Sequence, residues 1–212
     1  MPGHRIFAAL YDRVVIAGPE RAGLREMRAG LLEAARGRVL ELGAGTGLNL
    51  THYGESVTGL VLTEPDPHMA KRLRERVREL EPRFEVEVLE AGAEGLPLPD
   101  RSFDTIVATL VFCTVDDPPQ AVAEAARLLK PDGQMLLIEH VRSADAGVAR
   151  WQDRLERPWG WLGAGCHPNR DTGAALSASF DVTALEQDRM PGYAPPIVKP
   201  LLRGIARPLA SG

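Results

Sequence analysis

Three glycines at alternate positions, Gly43, Gly45 and Gly47, follow the short apolar run at 38–42, R-V-L-E-L. A backbone without Cβ atoms can turn sharply there and bring its amides against a ligand, and a helix opening near Leu48 would add its N-terminal amides. About twenty residues after the glycines, Glu64 ends a second apolar run, and a carboxylate at that spacing can accept bonds from both hydroxyls of a ribose. Its bland alternative is an exposed loop acid. A dinucleotide site would want a small residue where this chain has Leu48, so that rival is disfavoured. His140 closes another apolar run, where a histidine can take a proton, orient an acceptor, or only hydrogen-bond a strand end. His167 and Asp171, in G-C-H-P-N-R-D at 165–171, are further candidates for the same work. Cys113 and Cys166 are too few and too far apart in sequence for a metal knuckle or a redox pair. Cys166 with His167 alone would lack a third and fourth ligand, so no metal is expected.

The elements that must carry these residues alternate. Strands are expected at 38–42, 56–63, 84–89, 103–109 and 134–139, with helices near 48, at 67–80 and at 119–129. Asp66 and Pro67 open the second helix as cap and first residue, and Lys130-Pro131-Asp132-Gly133 closes the third. Strictly alternating strands and helices predict a parallel sheet with right-handed crossovers. Segments 180–185 and 197–206 can add two final strands. Asp104 is expected to be buried early in its strand and Gly133 to make a turn.

Taken together, Glu41 with G-x-G-x-G, Glu64, Ala91-Gly92-Ala93-Glu94, Ser102-Phe103-Asp104 and the L-L-K-P-D-G turn cover residues 38–140, nearly half the chain. In this combination the sequence resembles the class I S-adenosylmethionine-dependent methyltransferases. The resemblance implies an α/β fold: a doubly wound, mostly parallel seven-stranded sheet with an N-terminal helical segment and a lid insert after the fifth strand. It implies one domain, divided into a helical cap at 1–35, a cofactor-binding core at 38–140, a substrate lid at 141–178 and C-terminal strands at 179–212. The implied cofactor is S-adenosyl-L-methionine, leaving as S-adenosyl-L-homocysteine. Gly43, Ala44, Gly45 and Gly47 would put backbone against its methionyl and ribose parts. Glu41 would organise the loop or reach the ammonium through water, and Glu64 would bind the ribose. Pro65 would pack on adenine. The Ala93 amide would meet a ring nitrogen, and Glu94 either the exocyclic amine or solvent. Thr109 and Leu110 would line the pocket near the methyl. Tyr11, in the amphipathic segment 6–12, would cover the methionine side or pack in the core.

Beyond His140 the resemblance narrows. Glu139-His140-Val141, a tryptophan-bearing segment with W-x-x-x-x-x-G-C ending at Cys166, and Asn169-x-Asp171 look like the small thiol methyltransferases of animal endoplasmic reticulum and their bacterial relatives. That implies S-methylation of small alkyl or aryl thiols, with His140, His167 and Asp171 as catalytic candidates. Trp151, Trp159 and Trp161 would pack the lid and wall an apolar pocket. Methylation of a small amine, phenol or lipid headgroup, or donor binding without catalysis, are the alternatives. The 212 residues carry a net charge of −4, 44% hydrophobic and 25% charged residues, the composition of one ordinary globular domain. Nothing in that balance attracts nucleic acid. The expected partner is a small-molecule acceptor. Without an apolar run of about 18 residues, or the N-terminal anchor of those relatives, the chain is expected in the cytoplasm with free thiols.

Overall fold

The computed structural model describes residues 16–163 and 165–209. Strands β1 (Gly37–Leu42), β2 (Val57–Thr63), β3 (Glu85–Leu89), β4 (Phe103–Thr109) and β5 (Leu129–His140) pair in parallel. The order across the sheet is β3, β2, β1, β4, β5, so the winding reverses between β1 and β4. Open α/β sheets bind ligands in the crevice that such a reversal leaves at the carboxyl ends of the strands. Burial runs unbroken through the carboxyl-terminal halves of β1, β2 and β4, rather than alternating, because helices cover both faces of the sheet. A helix α1 (Arg25–Leu32) precedes β1; α2 (Pro67–Leu80) and α3 (Pro118–Leu128) cross between strands. The latter two start as their sequences predict. Asp66 accepts the amides of His68 and Met69, Asp117 that of Gln120, and proline follows each cap.

The structure departs from the sequence expectation in four local respects. No α-helix opens at Leu48. A single 3₁₀ turn, Leu50–His52, follows the glycines, because Gly45 and Gly47 are left-handed and the buried Asn49 side chain is held by the strands. The K-P-D-G turn lies inside β5: Leu129 pairs Phe103, and pairing resumes at Gln134 with Thr105. Asp104, opposite that excursion, is half-exposed rather than buried, and it accepts from Lys130 Nζ at 2.6 Å and the Arg38 amide at 2.8 Å. The expected strand at 180–185 breaks after two residues, β6 (Phe180–Asp181), because Asp181 turns the chain by accepting both the amide and the hydroxyl of Thr183. Pairing starts again in β7 (Leu185–Arg189), and the tail strand is β8 (Pro200–Pro208), antiparallel to β5, β6 and β7. The described residues therefore build eight strands.

Between β5 and β6 lie α4 (Ala146–Leu162) and the short α5 (Thr172–Leu176). The segment 141–178 does not float: Gln152, fully buried on α4, donates its side-chain amide to the carbonyls of Pro168 and Ile197 and accepts the Ser143 amide. Arg142 adds a two-pronged ion pair to Asp153, at 2.5 and 2.8 Å. No helix among the described residues is long and apolar enough to cross a membrane.

Candidate active site

A cavity of about 560 Å³ opens at the carboxyl ends of the strands, at the winding reversal, and it is large enough for a drug-sized ligand. One wall is made by the β1 and β2 ends. Gly45 stands at φ 60° with only Met69 Sδ, 4.0 Å away, near the place of a side chain, so a Cβ would project into open space. Glu64 faces the same space. Its two oxygens accept the Gly45 amide at 2.8 Å and the Asp66 amide at 2.9 Å, leaving lone pairs free toward the cavity. Burial pushes the Glu64 carboxyl up, against the pull of those two amides. Gly43, Pro65, Ala93, Glu94 and Leu110 also line the cavity. Glu94 spends one oxygen on the amides of Asp116 and Asp117, and so holds the start of α3 as well. Leu110 is left-handed at φ 62°, a strained conformation kept by its amide bond to Ile138 and by Glu139, which accepts the next amide, Val111, at 2.7 Å.

Four of the residues named from the sequence do not line the cavity, and of the two roles expected for Glu41 the structure shows the one that organises the loop. Ala44 is buried in the core under the loop, its amide bonded to Thr63. Gly47 faces Leu50 and Leu73, each less than 3 Å from where its Cβ would be, so its smallness serves packing. Glu41 accepts from Asn49 Nδ2 at 2.9 Å and Tyr53 Oη at 2.6 Å, behind the cavity wall. Thr109 turns back into that same network, accepting from Asn49 and from Arg28. Arg28 is buried and also holds Glu20, at 2.9 Å. This chain of polar groups fixes the glycine loop from below. Burial pushes the Glu41 carboxyl up to about 7, and Glu139 likewise to about 7, although the Val111 and Phe112 amides pull Glu139 down. Tyr11 lies outside the described residues.

At the other end of the cavity stand His140, Trp159, Cys166, Met190 and Val198. His140 Nδ1 is 3.8 Å from Cys113 Sγ and 3.6 Å from Cys166 Sγ, and the three ligand-type atoms lie within 4.8 Å of one another. Sequence distance misled here: the ends of β4 and β5 and the turn after α4 converge, and the two cysteines become neighbours. The Cys113 thiol, donating to Cys166 and fully buried, is pushed up; that donation, with help from His140, pulls the Cys166 thiol down. His167 is not at the cavity. Its ring pairs with Glu156 at 2.6 Å, and its amide bonds the Cys113 carbonyl. Asp171 caps α5 through the Ala174 amide, which accounts for its place in the sequence. Trp151 stands on the outer face against Arg154, whereas Trp159 and Trp161 reach the cavity.

Sequence reading missed Arg28, Asn49, Tyr53 and the wall at 190–198, where Met190, Tyr193, Ala194 and Val198 line the cavity. Arg28 carried a signal: it lies four residues from both Leu24 and Leu32, on the buried helical face. The wall at 190–198 carried none, since a loop between late strands reveals its face only after folding.

Residues 40–137 match the family model described as "Methyltransferase domain". Thiol S-methyltransferase TMT1B of rat and of human is 36% identical in each case, over 70% and 76% of this chain and 62% and 67% of theirs. The phosphatidylethanolamine N-methyltransferase of Cereibacter sphaeroides is 34% identical over 65% of this chain and 68% of its own. The chain thus spans about two thirds of the length of these relatives. A crystal structure of a SAM-dependent methyltransferase from Thermotoga maritima superposes with a TM-score of 0.66, covering 96% of both chains at 23% identity.

Proposed function

This chain belongs to the S-adenosylmethionine-dependent methyltransferases, and from that premise we propose that it methylates the sulfur of small thiols. The donor fits the residues present. Glu64 has free lone pairs facing the cavity for two ribose hydroxyls, and left-handed Gly45 keeps clear a space that a Cβ would fill. Gly43 and Gly45 would hold the methionyl and ribose parts, and Pro65 and Ala93 the adenine. When bound, S-adenosylmethionine supplies a methyl group already activated on a sulfonium. The protein's tasks are to orient the acceptor in line with it and to exclude water.

The observation that carries the thiol reading is the character of the acceptor end. Trp159, Met190, Ala194 and Val198 wall it, and His140 stands there with the thiols of Cys113 and Cys166. Of the acids lining the cavity, Glu64 is engaged by the Gly45 and Asp66 amides and Glu94 by the Asp116 and Asp117 amides, on the loops that follow β2 and β3. An alcohol would need strong deprotonation, whereas a thiol of pKa about 8.5 is partly ionised at neutral pH. His140 would orient that sulfur or take its proton. The thiol S-methyltransferase relatives support the same acceptor. We assign segment 141–178, with the loop at 190–198, as the cover over it, and the two free thiols suit a reducing, cytoplasmic setting. The Cereibacter sphaeroides relative favours the second reading, transfer to nitrogen of an amine or a lipid headgroup.

The test is labelled S-adenosylmethionine with a panel of alkyl thiols, aryl thiols, phenols and amines. Methyl thioether is expected as the dominant product, and His140→Ala is expected to slow it about 10-fold or more at saturating thiol. Transfer to nitrogen or oxygen alone would discard the thiol assignment.

A further inference from the structure

We propose that Cys113, His140 and Cys166 form a three-ligand site for a thiophilic divalent metal, zinc by preference, whose fourth position faces the cavity and takes the sulfur of a thiol. The thiol part rests on the function proposed above; the metal part rests on geometry alone. A tetrahedral zinc with Zn–S of about 2.3 Å and Zn–N of about 2.05 Å sets S···N at about 3.6 Å and S···S at about 3.8 Å. The structure has S···N at 3.8 and 3.6 Å and all three atoms within 4.8 Å, before any ion draws them in.

The surroundings are those of a reactive site rather than a closed structural one. All three side chains line the same cavity, so a fourth ligand has a route in. Three protein ligands with one open position is the arrangement of catalytic zinc, whereas structural zinc is closed by four. Two thiolates balance the charge of a divalent ion, which suits a buried, mainly apolar setting. The framework is held independently. Glu139 accepts the Val111 amide, at the start of the loop bearing Cys113, and the His167 amide ties the Cys166 turn to the Cys113 carbonyl at 2.7 Å. His140 turns Nδ1 toward both sulfurs, while its Nε2 is buried with no hydrogen-bond partner among the described residues. When a thiol binds, its S–H bond breaks, the proton leaves to solvent, and the sulfur pair forms the metal bond. The protein would thus hold its acceptor as a thiolate below the thiol's own pKa.

Cobalt(II) titration of the reduced, purified 212-residue protein tests this without reliance on turnover. About one equivalent is expected to give sulfur-to-cobalt charge-transfer absorption with tetrahedral d–d bands, displaced by zinc. Adding benzenethiol should intensify the charge-transfer band, as a further sulfur enters. Cys113→Ser and Cys166→Ser should weaken cobalt by more than the roughly 10–100-fold that even an outer-shell partner is worth, while His167→Ala keeps the bands. Retained S-adenosylmethionine binding by calorimetry certifies that the cysteine variants fold. No charge-transfer band, or bands that survive both cysteine variants, would overturn the metal site. Bands unmoved by benzenethiol would overturn the acceptor position. Product analysis on the same preparations keeps the two readings apart: thioether formed by metal-free protein that gives no band sinks the site and leaves the function. A cobalt site in a protein that methylates only nitrogen or oxygen sinks the function instead.

Discussion

Glu64 accepts two backbone amides, and the cavity is its remaining neighbour. Such a carboxylate is poised rather than satisfied: burial raises its energy, and two ribose hydroxyls would relieve part of that cost. Glu64→Ala is therefore expected to lose about 1–3 kcal/mol of S-adenosylmethionine affinity by calorimetry, the usual worth of hydrogen bonds to a charged group. Unchanged affinity would withdraw the ribose role. Gly45→Val should abolish donor binding for two reasons, a branched side chain at φ 60° and an occupied cavity wall. Gly47→Val should instead lower the melting temperature, since its side chain would strike Leu50 and Leu73. Two glycines of one motif thus separate into ligand space and packing space.

The elements are joined by buried polar contacts that periodicity does not reveal. Helix α1 is fixed to the glycine loop by Arg28, which bonds Glu20, Asn49 and Thr109. Arg28→Ala would strand those partners in the interior, and a loss of roughly 2–4 kcal/mol is expected in urea unfolding, with weaker donor binding as the loop loosens. Helix α4 is held by Gln152, a polar residue with no exposure on an otherwise amphipathic helix. Gln152→Leu should cost at least about 2 kcal/mol, because carbonyls of Val141, Pro168 and Ile197 lose their donor.

At the scale of the molecule, two interior carboxyls set a pH dependence. Burial raises Glu41 and Glu139 from the ordinary 4.5 to about 7, so between those values the folded protein binds more protons than the unfolded chain. These groups therefore make the fold less stable as pH climbs from about 4.5 to 7, each by up to about 3 kcal/mol, and contribute no slope above that. Urea unfolding of Glu41→Gln at pH 5 and pH 8 should return a smaller difference between the two pH values than the parent protein. An equal difference would mean that Glu41 is ionised throughout. The surface pair Arg142–Asp153 is solvated and adds little to this profile.

The glycine spacing, the acid ending β2, the caps at Asp66 and Asp117 and the β-branched runs are local codes. They determined the alternation of strands and helices, the parallel character of the sheet and the family without reference to any distant residue, whereas the order of the strands is a tertiary fact. Turn chemistry was partly legible. Asp181 with Thr183 looked like strand because an Asx-type turn and a strand end share composition, and the loop after Gly47 looked like a helix start because Asn49 finds its partners only in the folded sheet. The end of the cavity around His140 was decided by tertiary structure. His167 and Asp171 had the residue types of catalysis, but one pairs with Glu156 and the other caps α5. Cys113, 53 positions before Cys166 in sequence, meets it beside His140 because parallel strands deliver their carboxyl ends to one edge of the sheet whatever chain lies between them.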